Sequence, residues 1–171
     1  MGRPRRPFIR QEDGSYHVIS RIAGGDFLLA DQDKEYFVNL MFRLSRAYYV
    51  NLIAYAVLDN HFHILLDNDD KSAGMASRDM LIKRYQAAFG KNSEPPEGSY
   101  IRDRYEVEFD SDGGTDRLRR RLGSVSRFIQ DLKQRFAYWY NRKHTRHGYL
   151  WGGRFRSIVV SKGDAELICS A

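Results

Sequence analysis

The sequence predicts an α+β domain of ferredoxin-like order, βαββαβ, with an antiparallel sheet and its helices on one face. Three observations carry this. A β-branched and aromatic run, SYHVISRIA, stands at residues 15–23, and an apolar strand, a two-residue turn and an alternating strand follow at residues 50–67. Segments with helical spacing lie between and after these strands, and a last strand-like run, YLWGGRFRSIVVS, closes the pattern. Strand, helix, strand, strand, helix, strand is the split βαβ arrangement.

The first strand stops at Gly24-Gly25. Asp31 reads as a helix N-cap, with Asp33 and Glu35 in the first turn. Phe37, Leu40, Met41, Leu44 and Tyr48 then recur at helical spacing, and Arg43 and Arg46 suit the C-terminal end of the helix dipole. Residues 50–58, VNLIAYAVL, are apolar on both faces, which predicts a central strand covered on both sides. Asp59-Asn60 marks a hairpin turn. In the strand at 61–67, Phe62, Ile64 and Leu66 point one way; His61, His63, Leu65 and Asp67 point the other.

Residues 75–89 predict a second helix, with Ile82, Tyr85 and Phe89 on its stripe and Gly90 as its stop. Residues 91–114 turn to proline, glycine and acids around a strand-like patch at 105–109, and read as an insertion on the surface of a single domain spanning 1–171. After Gly123, with Ser124 as cap, a long basic helix carries Val125, Phe128, Ile129, Leu132, Phe136, Trp139 and Tyr140 on its apolar stripe. Arg127, Lys133, Gln134, Arg142 and Lys143 fall outside that stripe. There is no internal repeat or heptad array.

A chain of 171 residues is long enough to bury a core without disulfides or structural zinc. The single cysteine, Cys169, excludes an intramolecular disulfide and suits a reducing compartment, where it serves as a small packing residue. The basic N-terminus MGRPRRPFIR is not followed by a signal core, and no run approaches the ~20 apolar residues of a membrane helix. A cytoplasmic location without a membrane partner is the expectation. The net charge of +6 is unevenly spread: residues 116–156 hold twelve Lys and Arg against two acids, a local +10 that leaves −4 for the rest. Such a segment is either a solvated helix face or the footprint of a polyanionic partner, nucleic acid first.

Two histidines at alternate strand positions share a face, about 6 to 7 Å apart at the backbone, so both rings can converge on one metal ion. His61 and His63 have that spacing, with the core residue Phe62 between them. Imidazole donors alone suggest zinc or another transition metal, whereas a phosphodiester substrate favours magnesium or manganese. Many such pairs are instead hydrogen-bonded surface residues. Asp67 is too far along the strand to join unless the strand end bends, and His17 faces either the core or the site. His144 and His147 sit among Arg142, Lys143 and Arg146, where helix-end and phosphate-contact roles suit them better than ligation. Trp151, Arg154, Phe155 and Arg156 interleave aromatics with guanidinium groups. The aromatics are either core anchors or stacking partners for an unpaired base, and the arginines bind phosphate.

Together SYHVISR, AYAVLDNHFHILL and LKQRFAYWYNRKHTRHGYLWGGRFRSIVV, in that order, resemble the REP-associated tyrosine transposases, relatives of the single-tyrosine HUH insertion-sequence transposases. The likeness spans nearly the whole chain apart from residues 91–114. It implies an HUH nuclease domain acting on single-stranded or hairpin DNA, as monomer or homodimer, with His61 and His63 holding a divalent cation, Mg2+ or Mn2+. In that family a tyrosine attacks the scissile phosphate, and a covalent link splits one transfer into two. The tyrosine lies on a helix after the R-F-x-S strand, in a Tyr-Ile-x-Leu-Asn-Pro run. Here KGDAELICSA follows that strand, a helix is expected from about Asp164, and no tyrosine occupies the matching position. By that resemblance the nucleophile is expected beyond Ala171, and the catalytic helix is expected to be incomplete in this sequence.

Lys133, Arg142, Lys143, Arg146, Trp151, Arg154 and Arg156 are the candidate DNA contacts. Two further readings stay open: a non-catalytic nucleic-acid-binding module, domesticated or decayed, and a phosphoesterase using water at His61 and His63.

Overall fold

A computed structural model of the chain describes residues 14–25, 28–89 and 113–160. The elements are β1 (Ser15–Arg21), α1 (Asp31–Ser45), β2 (Val50–Val57), β3 (His61–Asn68), α2 (Asp70–Met75), α3 (Arg78–Phe89), α4 (Gly114–Leu122), α5 (Val125–Lys143) and β4 (Arg156–Val160). The four strands form one sheet in the order β2-β3-β1-β4. Each neighbouring pair is antiparallel. The predicted α+β class, with its ferredoxin-like antiparallel sheet, is the one observed. The expected insertion falls almost wholly outside the described residues, as does the helix expected from Asp164.

Period-2 alternation divides the sheet between two environments. Val18, Phe62, Ile64 and Leu66 are fully buried on one face, against Phe37 and Met41 of α1 and Phe128, Leu132 and Phe136 of α5. Leu81 of α3 and Leu118 and Leu122 of α4 extend the same core, so the helices share that face. Each such side chain contributes about 1.5–3 kcal/mol when fully buried. The opposite face has only a small apolar group of Leu65, Val160 and Ala54.

β2 corrects the expectation of a strand covered on both sides. Among the described residues it lies at the sheet edge and pairs with β3 alone, its register broken by a bulge between Leu52 and Ala54. Ile53 and Tyr55 are exposed, the latter with its ring edge-on to Phe42. Apolar residues on both faces identify a strand but not its place in the order, which depends on pairings distant in sequence.

The first helix also begins differently. Ala30 is its N-cap, and the cap is completed from inside, where the Asp33 carboxylate accepts the Ala30 N–H at 3.1 Å. Asp33 is fully buried, and its other oxygen takes Lys143 Nζ at 2.8 Å and His144 Nε2 at 3.0 Å. Burial raises the Asp33 carboxyl pKa, but the hydrogen bonds from Lys143, His144 and Ala30 outweigh it and hold the group below its ordinary value. This carboxylate ties the start of α1 to the end of α5.

The helix expected over 75–89 begins three residues later, as α3 at Arg78, and a short helix that was not expected, α2, precedes it. α2 is capped by Asp69, whose side chain accepts from Ser72 N, and Ala76 is extended. Ser77 starts α3 through its Oγ, 3.3 Å from Met80 N. The buried stripe of α3 is Leu81 and Ala88, with Ile82 and Tyr85 half-buried. Gly123 separates α4 from α5 as expected, and Ser124 caps α5. A Cβ at Gly123 would stand 2.7 Å from Asp70 Oδ1 and 2.9 Å from the Ala73 Cβ, so only glycine lets this turn approach α2.

Candidate functional site: the histidine face of the sheet

Directly paired residues of antiparallel strands project from the same face. β1 sets Ile19 opposite His63 and Arg21 opposite His61, with His17 opposite Leu65. β4 sets Arg156 opposite Ile19 and Ile158 opposite His17. His17, His61, His63, Arg21 and Arg156 therefore share the face that the described helices leave open. Arg156 stands in the same row as His63, two strands and about 10 Å away by strand spacing. On the other side of His63 the paired residue of β2 is Ala56, which adds little bulk beside the ring.

The three imidazoles are half-buried and close together. His17 Nε2 is 3.0 Å from His63 Nδ1, with the rings stacked at 5.2 Å between centroids. The His61 and His63 rings lie 5.1 Å apart at 68°. His61 Nδ1 is 2.7 Å from Asn60 Oδ1. Burial lowers the His63 pKa, and electrostatic repulsion by the neighbouring His17, His61 and Arg21 lowers it further. The neutral imidazole so favoured is the form that ligates metals. With Nδ1 of both rings already engaged, Nε2 is the nitrogen each has left to offer.

Among the described residues, no group of three or more His, Cys, Asp or Glu is arranged to hold a metal ion. Asp67 shares the histidine face, but its carboxylate is hydrogen-bonded by Ser15 Oγ. Two neutral imidazoles do not fill the four-donor shell of structural zinc. They do fit a divalent cation that completes its shell with water and phosphate oxygens.

The candidate DNA contacts separate into two groups. Lys133 is buried, with Nζ donating to Gly153 O at 2.7 Å beside the Trp151 ring. Burial pushes its ammonium pKa down to about 8. Trp151 packs among Phe37, Phe62 and Phe136 and donates Nε1–H to Lys133 O at 2.9 Å. These two are packed together, unlike the exposed position the sequence pattern suggests for Lys133. Arg142, Arg154 and Arg156 are exposed, Lys143 reaches Asp33, and Arg146 lies against Tyr140.

Several backbone contacts bring the second group towards His61. Ile22 N donates to Asn60 O at 2.8 Å, Ala23 N to Leu150 O at 2.9 Å, and Gly152 N to Arg21 O at 3.0 Å. Tyr140 Oη donates to Leu28 O, and Asn141 Nδ2 to Gly148 O, both at 2.9 Å. The end of α5, residues 148–153 and the start of β4 thus gather at the end of the sheet where β3 begins with His61. Tyr149 stands out of this segment, 93% exposed. Sequence reasoning missed Arg21 and Asn60 and left His17 undecided. The period-2 pattern of β1 puts His17 and Arg21 on one face, but only the register with β3 shows which face.

These elements define a ferredoxin-like domain whose open sheet face carries clustered imidazoles beside a basic edge. The structure of a REP-associated tyrosine transposase bound to a REP hairpin aligns with it at a TM-score of 0.52 and 13% sequence identity, over 98% of this chain and 68% of that one. A protein of Deinococcus radiodurans described as a transposase aligns at a TM-score of 0.46 and 15% identity, over 99% of this chain and 94% of that one. At 13% identity the first likeness is one of fold. No protein-family model and no curated protein matches the sequence. No helix among the described residues is long and apolar enough to cross a membrane.

Proposed function

We propose that this chain is a DNA-binding protein of the transposase type that engages single-stranded or hairpin DNA at the histidine face. The observation that carries the reading is the shared row of His63 and Arg156, beside the end of the sheet where Arg142, Arg146 and Arg154 gather. His61 and His63 would hold a divalent cation, Mg2+ or Mn2+, through Nε2, and when bound that ion would supply charge stabilisation at a phosphoryl oxygen. The arginines fix the phosphate backbone, and Tyr149 offers a face for an unpaired base. The reaction that such a site would serve is strand cleavage and transfer through a phosphotyrosine.

One observation favours a binding role without cleavage for the residues of the sheet itself. The strand tyrosines Tyr16 and Tyr55 pair with Leu66 and Ile64, so they occupy the face opposite the histidines.

Hairpin and single-stranded oligonucleotides titrated at several salt concentrations test the proposal. Binding that weakens steeply with salt is expected. Absent or salt-insensitive binding would refute it. The 171-residue chain is expected to form no covalent DNA adduct on denaturing gels, and a stable adduct would defeat the binding-only reading.

A further inference from the structure

Asn60 occupies the turn between β2 and β3, immediately before His61, and that turn is firmly held. Its backbone oxygen accepts from Ile22 N at 2.8 Å, and the oxygen of Asp59 accepts from Leu28 N at 3.0 Å and Leu29 N at 2.9 Å. The Asn60 side chain makes two contacts of opposite kind. Its Nδ2 donates to Gly25 O at 3.0 Å, and its Oδ1 lies 2.7 Å from His61 Nδ1. The first contact fixes the second. A backbone carbonyl only accepts, so the amide must turn its NH2 group to Gly25 and its oxygen to the imidazole. An amide oxygen has no proton to give. The contact with His61 is therefore a hydrogen bond only when Nδ1 carries the proton, which leaves the lone pair of a neutral ring on Nε2.

We propose that Asn60 is a positioning residue that selects the Nδ1–H tautomer of His61 and so presents Nε2 to the cation. The inference rests on the metal-site reading above but concerns a residue whose side chain is already engaged by Gly25 and His61. It also explains why the turn is clamped on the end of β1: a loose turn could not hold the amide against the ring. Metal-binding histidines generally rely on such a partner for the other ring nitrogen, and losing the partner costs about 10- to 100-fold in affinity.

The test has two readouts. Long-range 1H–15N spectra of the metal-free protein report the tautomer of His61, and Mn2+ titration reports affinity. Wild type should show Nδ1–H. Asn60→Leu should populate Nε2–H and weaken Mn2+ binding about 10- to 100-fold, with the rest of the spectrum attesting the fold. Asn60→Asp retains an acceptor and should keep the Nδ1–H tautomer. An Nε2–H tautomer in wild type, or an unchanged tautomer in Asn60→Leu, would overturn the proposal. Mn2+ uptake that survives replacement of both His61 and His63 by alanine would defeat the metal-site reading instead, and the tautomer result would still stand.

Discussion

On the helix-covered face of the sheet Val18, Phe62, Ile64 and Leu66 are fully buried, whereas on the other face His17, His61 and His63 are half-buried and Arg21 and Arg156 are exposed. Both faces are written in the same strands, one residue apart. Phe62 stands between two imidazoles in sequence yet is in edge-on contact with Trp151 beneath the sheet, 5.4 Å between ring centroids. The packed face fixes the strand, and the fixed strand lets two rings converge without being buried themselves.

Stability should therefore respond to one face and ligand binding to the other. Phe62→Ala is expected to cost about 3–5 kcal/mol, the usual range for emptying a fully buried phenylalanine site. Urea denaturation measures it, and a cost under 1 kcal/mol would mean that the core is not organised around this residue. Replacing His61 and His63 together by alanine should abolish Mn2+ uptake while changing stability by about 1 kcal/mol or less, because these side chains are half-buried and make few hydrogen bonds. A large loss of stability from that pair would erase the distinction between the faces.

How much was legible follows from the same contrast. The alternation of β3 could be read from its own residues, because a period of 2 next to a turn admits one assignment of faces. The edge position of β2 and the sharing of a face by His17, Arg21 and Arg156 could not, since both depend on partners distant in sequence. Asp33 was assigned to a first helical turn, correctly, but its burial beneath Lys143 and His144 is a contact across more than a hundred residues. Ser77 carried a local capping signal that the apolar residue Met75 obscured.

Lys133 marks the boundary between the basic residues that pack and those that meet solvent. Its pKa in the fold is about 8 against an ordinary 10.5. Between these values the unfolded chain binds more protons than the folded one, so stability should rise with pH across that window and level off at its lower value below about 8, where both states are protonated. Lys133→Met should lack this rise. Denaturation curves at pH 7.5 and pH 10 compare the two proteins, and identical pH profiles would contradict a buried ammonium.

The smallest effect separates the same residues by their role towards DNA. Each phosphate neutralised contributes about 0.7 to the slope of log K against log salt on single strands and about 0.9 on duplex. Arg156 is exposed, lies in the row of His63 and, among the described residues, makes no buried contact comparable to that of Lys133 with Gly153. Arg156→Gln should therefore reduce the salt slope by about one such step, with a correspondingly modest loss of affinity. Lys133→Met should leave the slope unchanged, because its charge already faces a carbonyl inside the protein. A reduced slope in Lys133→Met and none in Arg156→Gln would reverse the assignment and move the DNA path away from the histidine face.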